Sequence, residues 1–168
     1  MMEAIVYTSK TGFTKKYAGI LGEKTGLPVY DLHSAGGVKK GGEIIYLGWL
    51  SAGRVKGYRK AASLFNIRAL CAVGMATPGG QPVANIKKTN GMPESLNVFY
   101  LQGGLDMNKL KGINKLALSI VVNTFGRSLE KKQDLTPEEA DQLDLIRNNG
   151  SRVRPENLEP LLEWYAGL

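Results

Sequence analysis

Six consecutive residues, Ser9, Lys10, Thr11, Gly12, Phe13 and Thr14, offer the clearest chemistry in this sequence. Three hydroxyls, a lysine and a glycine lie between a short apolar run and a stretch with helical spacing. The hydroxyls of Ser9, Thr11 and Thr14 can donate hydrogen bonds, and Gly12 lets backbone approach a ligand closely. A helix starting here aims unpaired N–H groups and the positive end of its dipole at an anion. Lys10 and Lys15 add positive charge. The expectation is a phosphate cradle.

Such a loop needs a strand before it and a helix after it, and the pattern supplies both. Short apolar runs bounded by turn residues read as buried strands over 3–8, 27–32, 43–48, 69–75 and 97–102. Helical stretches are expected over 13–24, 54–65 and 83–88, the first stopped by Gly26. Strands alternating with helices predict an α/β fold with a five-stranded, doubly wound parallel sheet and helices on both faces. Ligands of such sheets bind beyond the C-terminal strand ends, which directs attention to the loops after the first, third and fourth strands.

Beyond residue 104 the pattern changes to a helical insertion or extension around 105–150, within one domain spanning 1–168. Leu110, Ile113, Leu116, Ala117, Ile120, Val121 and Phe125 recur at helical spacing across 107–132, with Lys109, Lys111, Lys115, Arg127, Lys131 and Lys132 around them. Packing on the domain is the commoner fate of such a stripe. A homodimer contact and a peripheral membrane contact through 107–132 are the alternatives. Thr136, Pro137, Glu138 and Glu139 carry strong helix-start signals, and a last helix is expected over 155–166.

The segment Ser9-Lys10-Thr11-Gly12-Phe13-Thr14 resembles the flavodoxin fingerprint, Ser/Thr-x-Thr-Gly-x-Thr, in the strand–turn–helix context where that fingerprint belongs. The resemblance to the flavodoxin-like family spans residues 3 to about 104. It implies a flavodoxin-like fold, FMN as cofactor, and the FMN phosphate held by these six residues. It also implies ring contacts from Gly48, Trp49, Leu50, Ser51, Ala52 and Gly53, with Trp49 stacking on the flavin or lying in the core beneath the loop. The loop with Ala76, Thr77, Pro78 and Gly79 has no tyrosine at the outer stacking position, so its contacts are expected from backbone and Thr77. The run from Tyr100 to Leu110, with Gly103-Gly104-Leu105-Asp106, is similar in part to flavodoxin-like protoporphyrinogen oxidases, although Met107 stands where an aromatic is expected.

The implied function is electron transfer or an FMN-dependent oxidoreductase. The partner would be a redox protein or a small-molecule electron acceptor. The alternative is a binding or regulatory module that kept the fold without the flavin. Net charge is +7, against the acidic balance of carrier flavodoxins. Residues 1–60 carry ten Lys or Arg against four acids, whereas 134–168 carry eight acids against three bases. That asymmetry suits an acidic partner or an anionic surface. Nucleic acid is disfavoured, since no recognised module is present and aromatics are not interleaved with bases. Cys71, the only cysteine, is expected to be a small buried hydrophobe, and His33, the only histidine, to be exposed. No metal cage is expected. No apolar run reaches membrane-spanning length and no basic leader precedes the first strand, so a cytoplasmic protein is expected.

Overall fold

The computed structural model describes residues 1–168, apart from the side chain of Asn114. Its central sheet is assembled from the runs that the sequence marks as strands. They are β1 (Ala4–Thr8), β2 (Val29–Asp31), β3 (Glu43–Ser51), β5 (Asn66–Gly74) and β6 (Asn97–Gln102), in the spatial order β2-β1-β3-β5-β6, all parallel. A two-residue strand, β4 (Arg54–Val55), pairs antiparallel with the end of β3. Three of the four crossovers carry a helix, α1 (Phe13–Thr25), α2 (Tyr58–Leu64) and α3 (Val83–Asn90), whereas β2 reaches β3 through a loop.

The alternation of side chains along each strand divides the core in two. Ala4, Val6, Ile44, Tyr46, Leu70 and Ala72 face one side, where Tyr58 and Ala61 of α2 and Ile86 of α3 cover them. Ile5, Tyr7, Ile45, Leu47, Ala69, Cys71 and Val73 face the other, under Tyr17, Ala18 and Leu21 of α1. A parallel sheet buried on both faces explains why its strands read as continuous apolar runs rather than alternating ones. Cys71 is fully buried and His33 is exposed. Burial pushes the Cys71 thiol up, which keeps it protonated.

The chain then leaves the sheet and returns. Strand β7 (Gly104–Leu105) pairs with β8 (Gly150–Ser151), and the excursion between them holds α4 (Gly112–Glu130) and α5 (Pro137–Asn148). Helix α5 opens with the expected cap. Thr136 Oγ1 accepts from the Glu139 N–H, and the Glu139 carboxylate accepts from the Thr136 N–H. After β8, a short 3-10 turn (Pro155–Leu158) leads into α6 (Glu159–Ala166), whose Leu161 joins the α1 side of the core.

Three sequence expectations are corrected. The helix expected over 54–65 is confined to Tyr58–Leu64, because Arg54 and Val55 extend the sheet first. The helix expected from 107 begins at Gly112. Its stripe does not pack: Ile113, Leu116, Ile120, Val121 and Phe125 are exposed, and α4 packs through Leu118, Val122 and Leu129 instead. The helix is apolar on two sides, so spacing alone did not single out the inward one. Gly126 marks the close crossing with α5, since a Cβ there would lie 3.1 Å from Ile146.

At the junction of β4 and α2, Gly57 adopts φ 79°, and a Cβ on it would fall 2.1 Å from the Tyr46 hydroxyl and 2.6 Å from that of Thr8. Gly57→Ala is therefore expected to lower stability by at least about 2 kcal/mol, combining left-handed strain with overpacking. Urea unfolding checks this, and an unchanged midpoint would refute the packing described.

Candidate functional site

The loop of residues 9–12 leaves β1 at Thr8 and enters α1 at Phe13. Gly12 is the residue before the helix, at φ 99°, and a Cβ added there would meet nothing within 4 Å. The loop backbone thus faces open space. The Gly12 N–H donates to Ser9 Oγ (3.1 Å), closing the turn. Among the described residues no side chain caps α1, so its first-turn N–H groups remain available to an outside acceptor. Thr14 is buried beneath the loop, and Lys10, Lys15 and Lys16 are exposed around it.

Strand β3 does not end at Gly48 but continues through Trp49 and Leu50 to Ser51. Ala52 (φ 48°) and Gly53 (φ 73°) then turn the chain back into β4. Positive φ at both central residues is the type I′ geometry that matches strand twist in a two-residue hairpin. The hairpin projects Trp49 over the strand ends. Trp49 is half-buried, with Lys56 Nζ 5.7 Å from its ring centroid. Gly48 sits inside the fold, where a Cβ would lie 2.5 Å from Val55, so it shapes the hairpin instead of lining the site.

The strand ends and the excursion enclose two adjoining cavities. The smaller, about 120 Å³, is bounded by Lys10, Thr11, Phe13 and Thr14 of the loop, by Trp49 and Leu50, and by Val73 to Met75 at the end of β5. Residues 103–106, Leu110 and Leu118 complete it. The larger, about 460 Å³, shares Trp49, Leu50, Gly74, Met75, Leu110 and Leu118. It adds Ser51, Ala52, Gly53, Ala76, Gln81, Tyr100, Ala117 and Val121. The first cavity therefore has a polar end at the loop, where Lys10 and the Asp106 carboxylate stand, and a mostly apolar remainder, and the second continues the apolar part beneath α4.

The structure thus brings Lys10, Thr11, Phe13, Thr14 and residues 49–53 together with Ala76. Thr77 and Pro78 instead line a separate polar cleft with Gln102, Asp141, Arg152 and Arg154. Gly79 lies in an exposed 3-10 turn (Pro78–Gly80).

Several residues in or beside the cavities were not singled out from the sequence. Lys109 reaches back to the loop, its Nζ 3.4 Å from the Thr11 carbonyl and 3.5 Å from Asp106. Tyr100 of β6 stands in the larger cavity, and its hydroxyl donates to the Ala76 carbonyl (2.7 Å). Burial holds that phenol well above the ordinary tyrosine range. Gln142 of α5 donates to the Met75 carbonyl (2.8 Å), tying the excursion to the end of β5. A signal for Lys109 and Leu110 was present in the Gly103–Asp106 turn beside them, but the turn does not say which way the chain goes next.

No protein-family model matches the chain, and no curated protein matches its sequence.

Behind the hairpin, the Tyr46 hydroxyl donates to the Lys56 carbonyl (2.7 Å) and hydrogen-bonds with the Thr8 hydroxyl (2.9 Å). Burial pushes its pKa up to about 12. An acid whose folded pKa is raised stays protonated in the fold after the unfolded chain has ionised. Stability is therefore expected to fall as pH rises from the ordinary tyrosine value of about 10 towards about 12. Tyr46→Phe should flatten that part of the stability–pH profile while losing one hydrogen bond, about 1 kcal/mol, at neutral pH. Unfolding curves across this range check both, and an unaltered alkaline slope in the variant would count against Tyr46 as its source.

Proposed function

We propose that this chain is a flavodoxin-like protein that binds FMN non-covalently and serves in electron transfer or as an FMN-dependent oxidoreductase. One observation carries the reading: an uncapped helix N-terminus with a cationic loop forms one end of an otherwise apolar cavity at the C-terminal rim of a parallel sheet. Strand order supports it. With the hairpin strand β4 set aside, β2-β1-β3-β5-β6 is the 2-1-3-4-5 order of flavodoxin-like sheets, whose ligand sits at the switch between the first and third strands. The loop after β1 and the hairpin after β3 flank that switch.

The donor set fits the cofactor at both ends. The α1 N–H groups and the hydroxyls of Ser9, Thr11 and Thr14 suit a phosphate dianion, with Lys10 and Lys109 supplying charge. Trp49, Leu50, Met75, Leu110 and Leu118 suit a flat apolar ring. When bound, FMN supplies hydride or single-electron transfer. The chain's own residues bind and orient it, and α4 with Leu110 and Leu118 excludes water from one side. The lining holds Lys10 and Asp106 besides apolar and hydroxyl-bearing side chains, and electron or hydride transfer by the cofactor does not itself require a side-chain acid or base. A redox partner protein or a small electron acceptor would complete the cycle.

An absorption spectrum of the purified protein, followed by titration with FMN and with riboflavin, tests this. FMN is expected to bind and to quench Trp49 fluorescence in a Trp164→Phe background. Riboflavin, which lacks the phosphate, should bind at least about tenfold more weakly, since charge-assisted hydrogen bonds are lost. Lys109→Ala should weaken FMN about two- to fivefold, as expected for an exposed charge, and leave riboflavin unaffected. Equal affinity for the two flavins would remove the phosphate site, and no binding of either would remove the reading.

A further inference from the structure

Helix α4 is 19 residues long and buries only one side. Leu118 and Val122 pack with Leu105, Leu145 and Ile146, and Leu129 is buried on the same side. At 100° per residue, Ile113, Leu116 and Ile120 fall on the opposite side, and Val121 and Phe125 on the flank between. They are 80%, 63%, 61%, 60% and 45% exposed. Five large apolar side chains exposed on one helix, three of them on a single face, mark an interaction surface.

The charges around the stripe identify what it meets. Lys109, Lys111 and Lys115 stand at one end and Arg127, Lys131 and Lys132 at the other. The one acid on the helix, Glu130, is held by Arg147 of α5 (3.1 Å). Lys111, Lys115, Arg127 and Lys131 are exposed and have no acidic partner among the described residues. A second copy of the chain is a poor match. Antiparallel pairing of two such helices sets one basic end against the other, parallel pairing sets each against itself, and neither offers a free carboxylate. A bilayer surface has the complementary arrangement, with acyl chains for the stripe and anionic headgroups for the flanking lysines. No helix is long and apolar enough to cross a membrane, so the contact is peripheral.

We propose that α4 is an interfacial helix that seats on an anionic lipid surface, with Ile113, Leu116, Ile120, Val121 and Phe125 at the acyl boundary and its terminal Lys and Arg side chains on the headgroups. The proposal does not depend on flavin binding.

Flotation of the full chain with vesicles of phosphatidylcholine, and of phosphatidylcholine mixed with phosphatidylglycerol, tests it. Binding is expected to the mixed vesicles, weakening as salt rises. The double variant Ile113→Asp/Ile120→Asp should bind at least about tenfold more weakly. Lys111→Ala and Lys131→Ala should each cost about fivefold. These positions are exposed, so circular dichroism should show the fold unchanged. Absence of binding to the mixed vesicles at low salt would overturn the proposal, as would binding indifferent to these substitutions. A dimer in light scattering that Ile120→Asp dissociates would also overturn it, assigning the stripe to a second copy.

Discussion

Parallel pairing of β1 with β3, β3 with β5 and β5 with β6 obliges every connection to cross back along a face of the sheet, and it brings all the strand ends to one rim. The helices that make those crossings bury both faces, so polar groups have nowhere to gather except beyond the strand ends. Ser9 to Thr14, the Trp49 hairpin, Met75 and Gly103 to Asp106 are separated by long stretches of sequence. They meet only because register puts Thr8 beside Gly48, Gly48 beside Ala72 and Gly74 beside Gln102.

The excursion from Asp106 to Asn149 is held to this rim by a small set of directed bonds. β7 and β8 clip its ends, and Gly104 has room for neither a Cβ nor a shift, since one would lie 2.3 Å from the Gly150 carbonyl. Arg152 then bonds Asp141 and Asp144, each at 2.7 Å, while its carbonyl accepts from Asn157. Tyr17 of α1 donates to the Gln102 carbonyl (2.6 Å). Core helix, sheet end and excursion thus share one polar knot, and the cavities depend on it because Leu110 and Leu118 come from the excursion side.

The strands were legible because each is a short apolar run closed by turn residues, and the 9–14 loop was legible because its chemistry is local. The Trp49 hairpin was not. Arg54 and Val55 lead without a break into the helical pattern of α2, and nothing nearby marks Ala52-Gly53 as a turn with both residues at positive φ. Tyr100 and Lys109 belong to the site through tertiary placement, one from the inside of a parallel strand and one from a segment that folds back over Thr11. For α4, periodicity found a helix but chose the wrong inward face. Leu118, Val122 and Leu129 are fewer than the outward apolar residues, and only Leu105, Leu145 and Ile146 decide between the two sides.

The uneven charge along the chain acquires a physical meaning from the same contacts. Three of the eight C-terminal acids are engaged within the fold: Asp141 and Asp144 on Arg152, Glu139 on Lys132 and the Thr136 amide. Hydrogen bonds from Lys132 and Thr136 hold the Glu139 carboxyl below the ordinary range, and those from Asn148 and Arg152 do the same for Asp144. The basic residues are mostly not balanced in this way. Arg54, Lys56, Arg59 and Lys60 surround a cleft beside the hairpin with no acidic partner among the described residues. The free charges of α4 lie on the helix that roofs the larger cavity. Unpaired positive charge thus borders the rim at Lys10, Arg54 and Lys56, and Val121 belongs both to the cavity wall and to the exposed stripe. A ligand entering there meets an electropositive margin before it reaches an apolar interior, an order of encounter suited to molecules that carry an anionic end and an apolar body.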